Sequence, residues 1–357
     1  MRIALISTPC VSCPPKTYGG TELIIHQLAE DLVERGHRVV IYATGDSRTR
    51  AELRYCYEQA LWPPSPLTEL QHVAHAYGDI LRRAESFDII HTHSVHALIL
   101  SKFIGDAPVV HTVHHHREDE LSHIYSRHRD AHYIFISERQ RSLETPLPRA
   151  RVIHHGLQPQ HYPFVEHSQN YVAFLGRLSA CKGPATAIDV ARRAGVRLRI
   201  AGDVHGEDHA FYEKHLVPRL TQPGVEYLGP VNHAQKVDLL GNARAVLFPI
   251  DWEEPFGLVM IEAMLCGTPV VAFARGSVPE IVDEGITGYK VHNADEMLAR
   301  LDAAARLDRA RVRRHAVQRF SAVRMTDEHL AYYRTLRGVR RAEPHRELPA
   351  ALYGTAR

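Results

Sequence analysis

The sequence predicts an α/β protein built from two Rossmann-like, doubly wound domains facing each other across a cleft. Three observations carry that expectation. Short apolar strand-like runs alternate with helix-period segments from Ile3 to His154. A polar stretch with Gly and two Pro, GLQPQHYPFVEHSQ at 156–169, then interrupts the rhythm as a linker would. The same alternation resumes at Tyr171. Two domains with full cores fit within 357 residues. The expected extents are 1–160 and 161–324, with 341–357 a mobile tail.

The elements follow in order. Ile3 to Ser7 reads as a buried parallel strand, followed by a Pro- and Gly-rich loop to Gly20. Thr21 is expected to cap a helix carrying Ile24, Leu28 and Leu32 on one face, ended by Gly36. Val39 to Ala43 completes a βαβ unit. The first turn holds PPKTYGGTE and not GxGxxG, which argues against an NAD site. Residues 48–85 read as mostly helical, broken by WPPSP. Strands are expected at Phe87–His91, Val109–Val113, Tyr133–Ser137 and Arg151–His154, their histidines and Ser137 lining one crevice edge.

Beyond the linker, strands are expected at Tyr171–Leu175, Arg197–Ala201, Val225–Leu228, Ala245–Phe248 and Val270–Ala272. Helices are expected at Pro184–Ala194, near His209–Leu220, up to Asn242, at Val278–Val282, and near Asp295–Leu307 and Met325–Leu336. The densest stretch is WEEPFGLVMIEAMLCG at 252–267, read as a helix with Pro255 in its first turn and Gly267 at its stop. The N–H groups of Phe256, Gly257 and Leu258 would then point out of the helix start.

Composition excludes several classes. A net charge of +2 gives no reason to invoke nucleic acid. No apolar run reaches the roughly 20 residues of a membrane span, and MRIALIST is not read as a signal peptide. Five scattered cysteines point to a reducing, cytoplasmic setting. The 26 histidines suggest metal, but HTHSVH and HTVHHH lack flanking cysteines or HExxH spacing, so strand-end polar residues are the better reading. Cys10 and Cys13 form a CxxC without a second pair and with prolines behind it, which reads as loop cysteines without function. Nothing in the sequence indicates an oligomeric state.

Three motifs carry chemistry. In FLGRLSACKG, residues 174–183, a glycine and the cations Arg177 and Lys182 precede a helix start, a combination suited to a diphosphate. A solvated basic loop is the plain alternative for that stretch alone. In TYGGTE, Gly19 and Gly20 allow backbone N–H groups to face an anion, or form a flexible turn. In the 252–267 stretch, Glu254 and Glu262 stand eight residues apart, roughly 10 Å along a helix axis.

With YGGTE, FLGRLSACKG, EPFGLVMIEAMLCGTPVVAF and GSVPEIVDEGITGYKV, the chain resembles the family 4 glycosyltransferases, retaining enzymes of the GT-B fold. The resemblance covers most of the chain. It implies a donor nucleotide-diphosphate sugar, with UDP-glucose leading and GDP-mannose and UDP-N-acetylglucosamine open, held by the second domain. It implies an unidentified acceptor on the first domain, which a C-terminal helix at about 325–340 would complete. Arg177 and Lys182 would hold the diphosphate, with backbone N–H groups at Gly19 and Gly20. Glu254 would bind the sugar hydroxyls, and Phe256, Gly257 and Leu258 would add backbone contacts. Glu262 would take the ribose diol, Val231 would lie near the base, and His114 or an immediate neighbour would face the sugar from the acceptor side. The glutamate spacing matches the span from hexose to ribose. No DxD motif is present, so the expectation is metal-independent and cofactor-free transfer, with no carboxylate nucleophile. First-domain loops with Tyr18, Tyr55, Tyr57, Trp62 and Tyr125 would shape the acceptor site. A nucleotide-sugar epimerase and an inactive nucleotide-sugar-binding protein are the alternatives.

Overall fold

The computed structural model describes residues 1–17, 19–63, 65–83, 86–104 and 107–337, so the expected tail at 341–357 lies outside the described residues. Two parallel sheets dominate. The first holds β1 (Arg2–Ile6), β2 (Arg38–Ala43), β3 (Glu52–Tyr55), β4 (Ile89–Thr92), β5 (Val109–Val113), β6 (His132–Phe135) and β7 (Ala150–Val152), in the order β3-β2-β1-β4-β5-β6-β7. The second holds β8 (Tyr171–Leu175), β9 (Arg197–Ala201), β10 (Val225–Tyr227), β11 (Ala245–Phe248), β12 (Val270–Phe273) and β13 (Gly288–Val291), in the order β10-β9-β8-β11-β12-β13. Strand order reverses between β1 and β4 and again between β8 and β11. In such sheets ligands bind beyond the carboxyl ends of the strands at the reversal. The central strands are buried because helices cover both faces; β1, β8, β11 and β12 are almost wholly apolar, while β4 and β5 also bury His91, Thr92, His111 and Thr112.

Around the first sheet lie α1 (Gly20–Glu34), α2 (Pro66–Arg82), α3 (Val95–Leu100), α4 (Asp119–Arg127) and α5 (Glu138–Leu143). Around the second lie α6 (Pro184–Arg193), α7 (His209–Phe211), α8 (Val217–Leu220), α9 (His233–Asn242), α10 (Leu258–Leu265), α11 (Val278–Ile281), α12 (Ala294–Ala305) and α13 (Arg309–Phe320). The chain then returns through α14 (Ala322–Leu336), which packs on α1 and brings the Tyr333 hydroxyl within 2.6 Å of His91 Nδ1. One apolar cluster runs from Ile3 and Leu28 through Met325 and Tyr333 to Phe320, Val312 and Ile261, joining the two sheets. Among the described residues no helix is long and apolar enough to cross a membrane.

Several expectations are corrected. Residues 52–55 form a parallel edge strand within the stretch read as helical; an edge strand with exposed charges at Glu52 and Arg54 carries little apolar pattern. Residues 288–291 form β13, and α13 follows α12, neither having been expected. Helix α13 buries only Val312, Ala316 and Phe320, a narrow stripe among arginines. Those arginines serve a structural end. Arg309 donates to the carbonyls of Val165, Ala243 and Gly241, and Arg313 to those of Leu265, Tyr162 and Pro159. A guanidinium at the carboxyl ends of α9 and α10 satisfies carbonyls that have no partner within the helix.

Two helix starts also move. Helix α1 begins at Gly20 with Gly19 as its cap, so Thr21 lies inside its first turn. Helix α10 begins at Leu258 with Gly257 left-handed at φ 78°, so Pro255 and Glu254 stand in the preceding loop and not in the helix. Between His209 and Leu220 the helix is interrupted by a π-helical turn at Tyr212–Leu216.

The stretch after 156 is packed. Leu157 bridges to Ser321, and Tyr162 is fully buried. A Cβ on Gly156 would stand 2.2 Å from the Ser321 carbonyl oxygen. Gly156→Ala is therefore expected to lower stability by about 1–3 kcal/mol, the usual cost of forcing atoms into a packed site. Urea unfolding of the two proteins checks this.

Candidate active site

The candidate residues lie at the carboxyl ends of β1, β5, β8, β10 and β11. The loop after β1 delivers Gly19, where a Cβ would meet Pro15 and Val11 at 2.9 Å. A Cβ on Gly20 would stand 3.0 Å from Leu258 Cδ1. The start of α1 thus abuts the start of α10 across the cleft, and neither start is capped by a side chain. In the first turn of α10 the Met260 N–H donates back to the Gly257 carbonyl at 3.0 Å, whereas the N–H groups ahead of it at a helix start have no intrahelical carbonyl and can meet an outside acceptor. Two residues on, Glu22 is buried, accepts the Thr8 hydroxyl at 2.7 Å, and has its pKa raised by burial. The sequence reading gave Glu22 no role.

The loop from β11 to α10 is fixed from below. Ser277 N–H donates to the Glu254 carbonyl at 3.0 Å and the Ser277 hydroxyl to the Phe256 carbonyl at 2.7 Å. This leaves the Glu254 side chain 8% exposed. Its Oε2 accepts Lys182 Nζ in an ion pair and Trp252 Nε1–H at 2.9 Å, and the ammonium lies 4.5 Å from the Trp252 ring centroid. Lys182 reaches this point because the β8 loop presses against β11. A Cβ on Gly183 would stand 2.1 Å from the Pro249 carbonyl oxygen, and the Asp251 N–H donates to the Cys181 carbonyl at 2.7 Å.

Arg177, from the same loop, goes elsewhere. Its guanidinium meets Glu207 at 3.0 Å and Asp208 at 3.3 Å, in the turn after β9. The structure therefore joins Lys182 to Glu254, and gives Arg177 acidic partners that the sequence reading did not name.

Glu262, one helical turn inside α10, is 3% exposed. Its Oε1 accepts both Lys236 Nζ from α9 and the Tyr162 hydroxyl, the latter at 3.0 Å. Val231 is half-buried before α9, whose start carries an Asn232–Gln235 capping box. The His233 ring N–H donates to the His161 carbonyl at 3.0 Å, and the ring packs edge-to-face with Tyr162, 5.3 Å between ring centres. Phe256 is buried against His155, 5.0 Å between ring centres. Leu258 is half-buried and Gly257 carries the turn.

His114, at the end of β5, shares a hydrogen bond with His93 at 2.8 Å and stacks on His155 at 5.5 Å. The next imidazoles form a continuous set: His93 lies 4.3 Å from His91, and His91 bridges Thr112 and Tyr333. Burial pushes His91, His93 and His114 well below the ordinary imidazole value, His111 and His155 to about 3, and His329 to about 4. His115 and His116 are exposed, and His116 packs edge-to-face with Trp252, 5.3 Å between ring centres. Ser137 is buried and caps α5. Cys10 and Cys13 are free, buried thiols, each pushed up to about 12 by burial. Among the described residues no group of three His, Cys, Asp or Glu side chains suits a metal ion.

Contacts also cross the cleft. Arg139 pairs with Glu253 through two hydrogen bonds at 2.8 and 2.9 Å. Glu280 accepts the N–H groups of Glu138 and Arg139 and the His154 ring, all at 2.9 Å. Burial alone would raise the Glu280 pKa, but His154 and the two amides hold it below the usual carboxylate value.

A Glycosyltransferase Family 4 model matches residues 18–156, and a Glycosyl transferases group 1 model matches residues 163–317. Curated relatives named D-inositol 3-phosphate glycosyltransferase, from Mycobacterium tuberculosis and Mycobacterium bovis, are 36% identical over 192 residues. That match spans 50% of this chain and 40% of the relatives' length. AviGT4, a glycosyltransferase involved in avilamycin A biosynthesis, is 25% identical with a TM-score of 0.70, over 96% of this chain and 100% of that one. Sucrose-phosphate synthase from Thermosynechococcus elongatus reaches a TM-score of 0.79 at 20% identity, over 94% of this chain and 99% of that one. Anabaena Alr3699/HepE, solved in complex with UDP-glucose, reaches 0.72 at 20% identity, over 94% and 100%.

The histidine set has a consequence for stability. The unfolded chain binds protons at these imidazoles below about pH 6.5, whereas the folded chain resists them down to about pH 3–4. Their contribution is complete above about pH 6.5 and is lost as pH falls, by up to about 1.4 kcal/mol per imidazole per pH unit. The urea midpoint is expected to drop between pH 7 and pH 5, and a flat profile there would contradict the assignment.

Proposed function

The chain belongs to the family 4 glycosyltransferases of the GT-B fold, and from that membership we propose that it moves a hexose from a nucleotide-diphosphate sugar to an acceptor hydroxyl. UDP-glucose is the leading donor. The observation that carries the reading is the pair Glu254 and Glu262. Both are buried beside the uncapped start of α10, each against a lysine, opposite the start of α1.

In this reading the diphosphate lies between the two helix starts. The N–H groups at Gly19 and Gly20, with those of Phe256, Gly257 and Leu258, meet its oxygens and the sugar. Lys182 and Arg177 offset the negative charge that grows on the diphosphate as the sugar–phosphate bond breaks. Glu254 accepts from the sugar hydroxyls and Glu262 from the ribose diol, with Val231 near the base. The acceptor enters over the first-domain loops. Its oxygen bonds to the anomeric carbon on the face that the diphosphate leaves, the bond to the phosphate oxygen breaks, and that oxygen takes the acceptor's proton. Configuration is retained, and no carboxylate nucleophile, metal or cofactor is used.

His114 suits the sugar's acceptor side because it is neutral at pH 7. A neutral imidazole offers one donor and one acceptor and adds no charge next to an oxocarbenium-like sugar.

Two measurements follow. In a thermal-shift panel of UDP- and GDP-sugars, a true donor at 100 times its Kd is expected to stabilise the chain by about 2.7 kcal/mol. A panel without any shift would contradict the reading. His114→Ala is expected to lower turnover by about ten- to a hundredfold, the worth of a hydrogen bond in a desolvated site. His116→Ala should cost much less, and equal losses would move the role off His114.

A further inference from the structure

Glu254 and Glu262 are held in the same way by unrelated parts of the chain. On Glu254, Oε2 receives both the Lys182 ammonium and the Trp252 indole N–H. On Glu262, Oε1 receives both the Lys236 ammonium and the Tyr162 hydroxyl. In each case the lysine also lies near its aromatic partner, 4.5 Å from the Trp252 centroid and 6.0 Å from that of Tyr162. Both donors fall on a single oxygen. Among the described residues the second oxygen, Oε1 of Glu254 and Oε2 of Glu262, receives no hydrogen bond.

That distribution has a physical meaning. A carboxylate offers about four lone-pair positions over two oxygens. Two donors on one oxygen fix the plane of the group and, through the lysine, compensate its charge, while the other oxygen keeps its full accepting capacity. A stiff aromatic donor holds that geometry at little entropic cost. Trp252 and Tyr162 each have two side-chain torsions and are packed, Tyr162 fully and Trp252 partly.

We infer that Trp252, Tyr162 and Lys236 are positioning residues, each acting through a glutamate. Trp252 presents one oxygen of Glu254 to the transferred sugar. Tyr162 and Lys236 together present one oxygen of Glu262 to the ribose. The inference rests on the donor reading above, but concerns three residues which that reading does not use. It also separates the two ends of the ligand. Loss of the Tyr162 donor should weaken anything that carries the ribose. Loss of the Trp252 donor should weaken only ligands that carry the sugar.

The test is calorimetric titration of the full chain with UDP and with UDP-glucose, alongside melting temperatures, for the wild type and for Trp252→Phe, Tyr162→Phe and Lys236→Met. GDP and GDP-mannose replace the uridine pair if the wild type prefers them. Tyr162→Phe is expected to weaken nucleotide and nucleotide-sugar alike, by about tenfold, the scale of one hydrogen bond to a charged group. Lys236→Met should do the same and carries the test if Tyr162→Phe does not fold. Trp252→Phe is expected to weaken the nucleotide-sugar by about tenfold and leave the nucleotide within about twofold. Equal losses for both ligands in Trp252→Phe, or no loss in any variant of a wild type that binds, would overturn the inference. A wild type that binds none of the four ligands would overturn the donor reading itself.

Discussion

Two carboxylates are buried where the domains face each other, and a buried charge without a partner costs several kcal/mol. Much of the second domain's local architecture answers that demand. Lys182 reaches Glu254 only because the β8 loop lies against the end of β11, at a spacing that Gly183 permits and a Cβ would not. Lys236 reaches Glu262 because α9 runs beside α10. The arginines of α13 then fasten the carboxyl ends of both helices, so the glutamates sit on a stiff support.

The first domain is attached by contacts of two strengths. Helix α14 and the segment from Gly156 to Tyr162 bury apolar surface and give a permanent join. Nearer the cleft the contacts are polar and partly wet. Arg139 and Glu253 are 46% and 44% exposed, the range in which an ion pair is worth about 0–1 kcal/mol. A firm hinge side and a weakly tied cleft side are what a pair of domains needs to part and close over a ligand.

Strands such as β1, β2, β8, β11 and β12 were legible because they are covered on both faces and read as nearly unbroken apolar runs. The 252–267 stretch was legible as a helix with flanking carboxylates, though its start was placed too early. A left-handed glycine at 257 delays the helix, and Pro255 belongs to the loop that Ser277 fastens. Edge strand β3 and helix α13 were missed for a shared reason: charged side chains interrupt both, and their apolar signal is a few residues wide. The partners of the site were the least legible. Tyr162 and Lys236 lie 100 and 26 residues from Glu262, and only the fold brings them together. Arg177 was recognised as a cation near a helix start, but nothing local announces that Glu207 and Asp208 receive it. The histidines read as strand-end polar residues. His91, His93 and His114 do stand at or just past strand ends, whereas His111 lies within β5 and His329 in α14, and the set stacks from half-buried His114 inward to buried His91 beside Tyr333.

On each glutamate, the oxygen left open by the lysine and the aromatic donor is the one that faces the ligand. A crystal structure of this chain with an intact nucleotide-diphosphate sugar measures it directly. The account predicts Glu254 Oε1 within about 3 Å of a sugar hydroxyl and Glu262 Oε2 at a similar distance from the ribose diol. Trp252, Tyr162 and Lys236 should remain on the opposite oxygens. A sugar nucleotide bound away from α10, or one that displaces Tyr162 and Trp252 from the two glutamates, would contradict it.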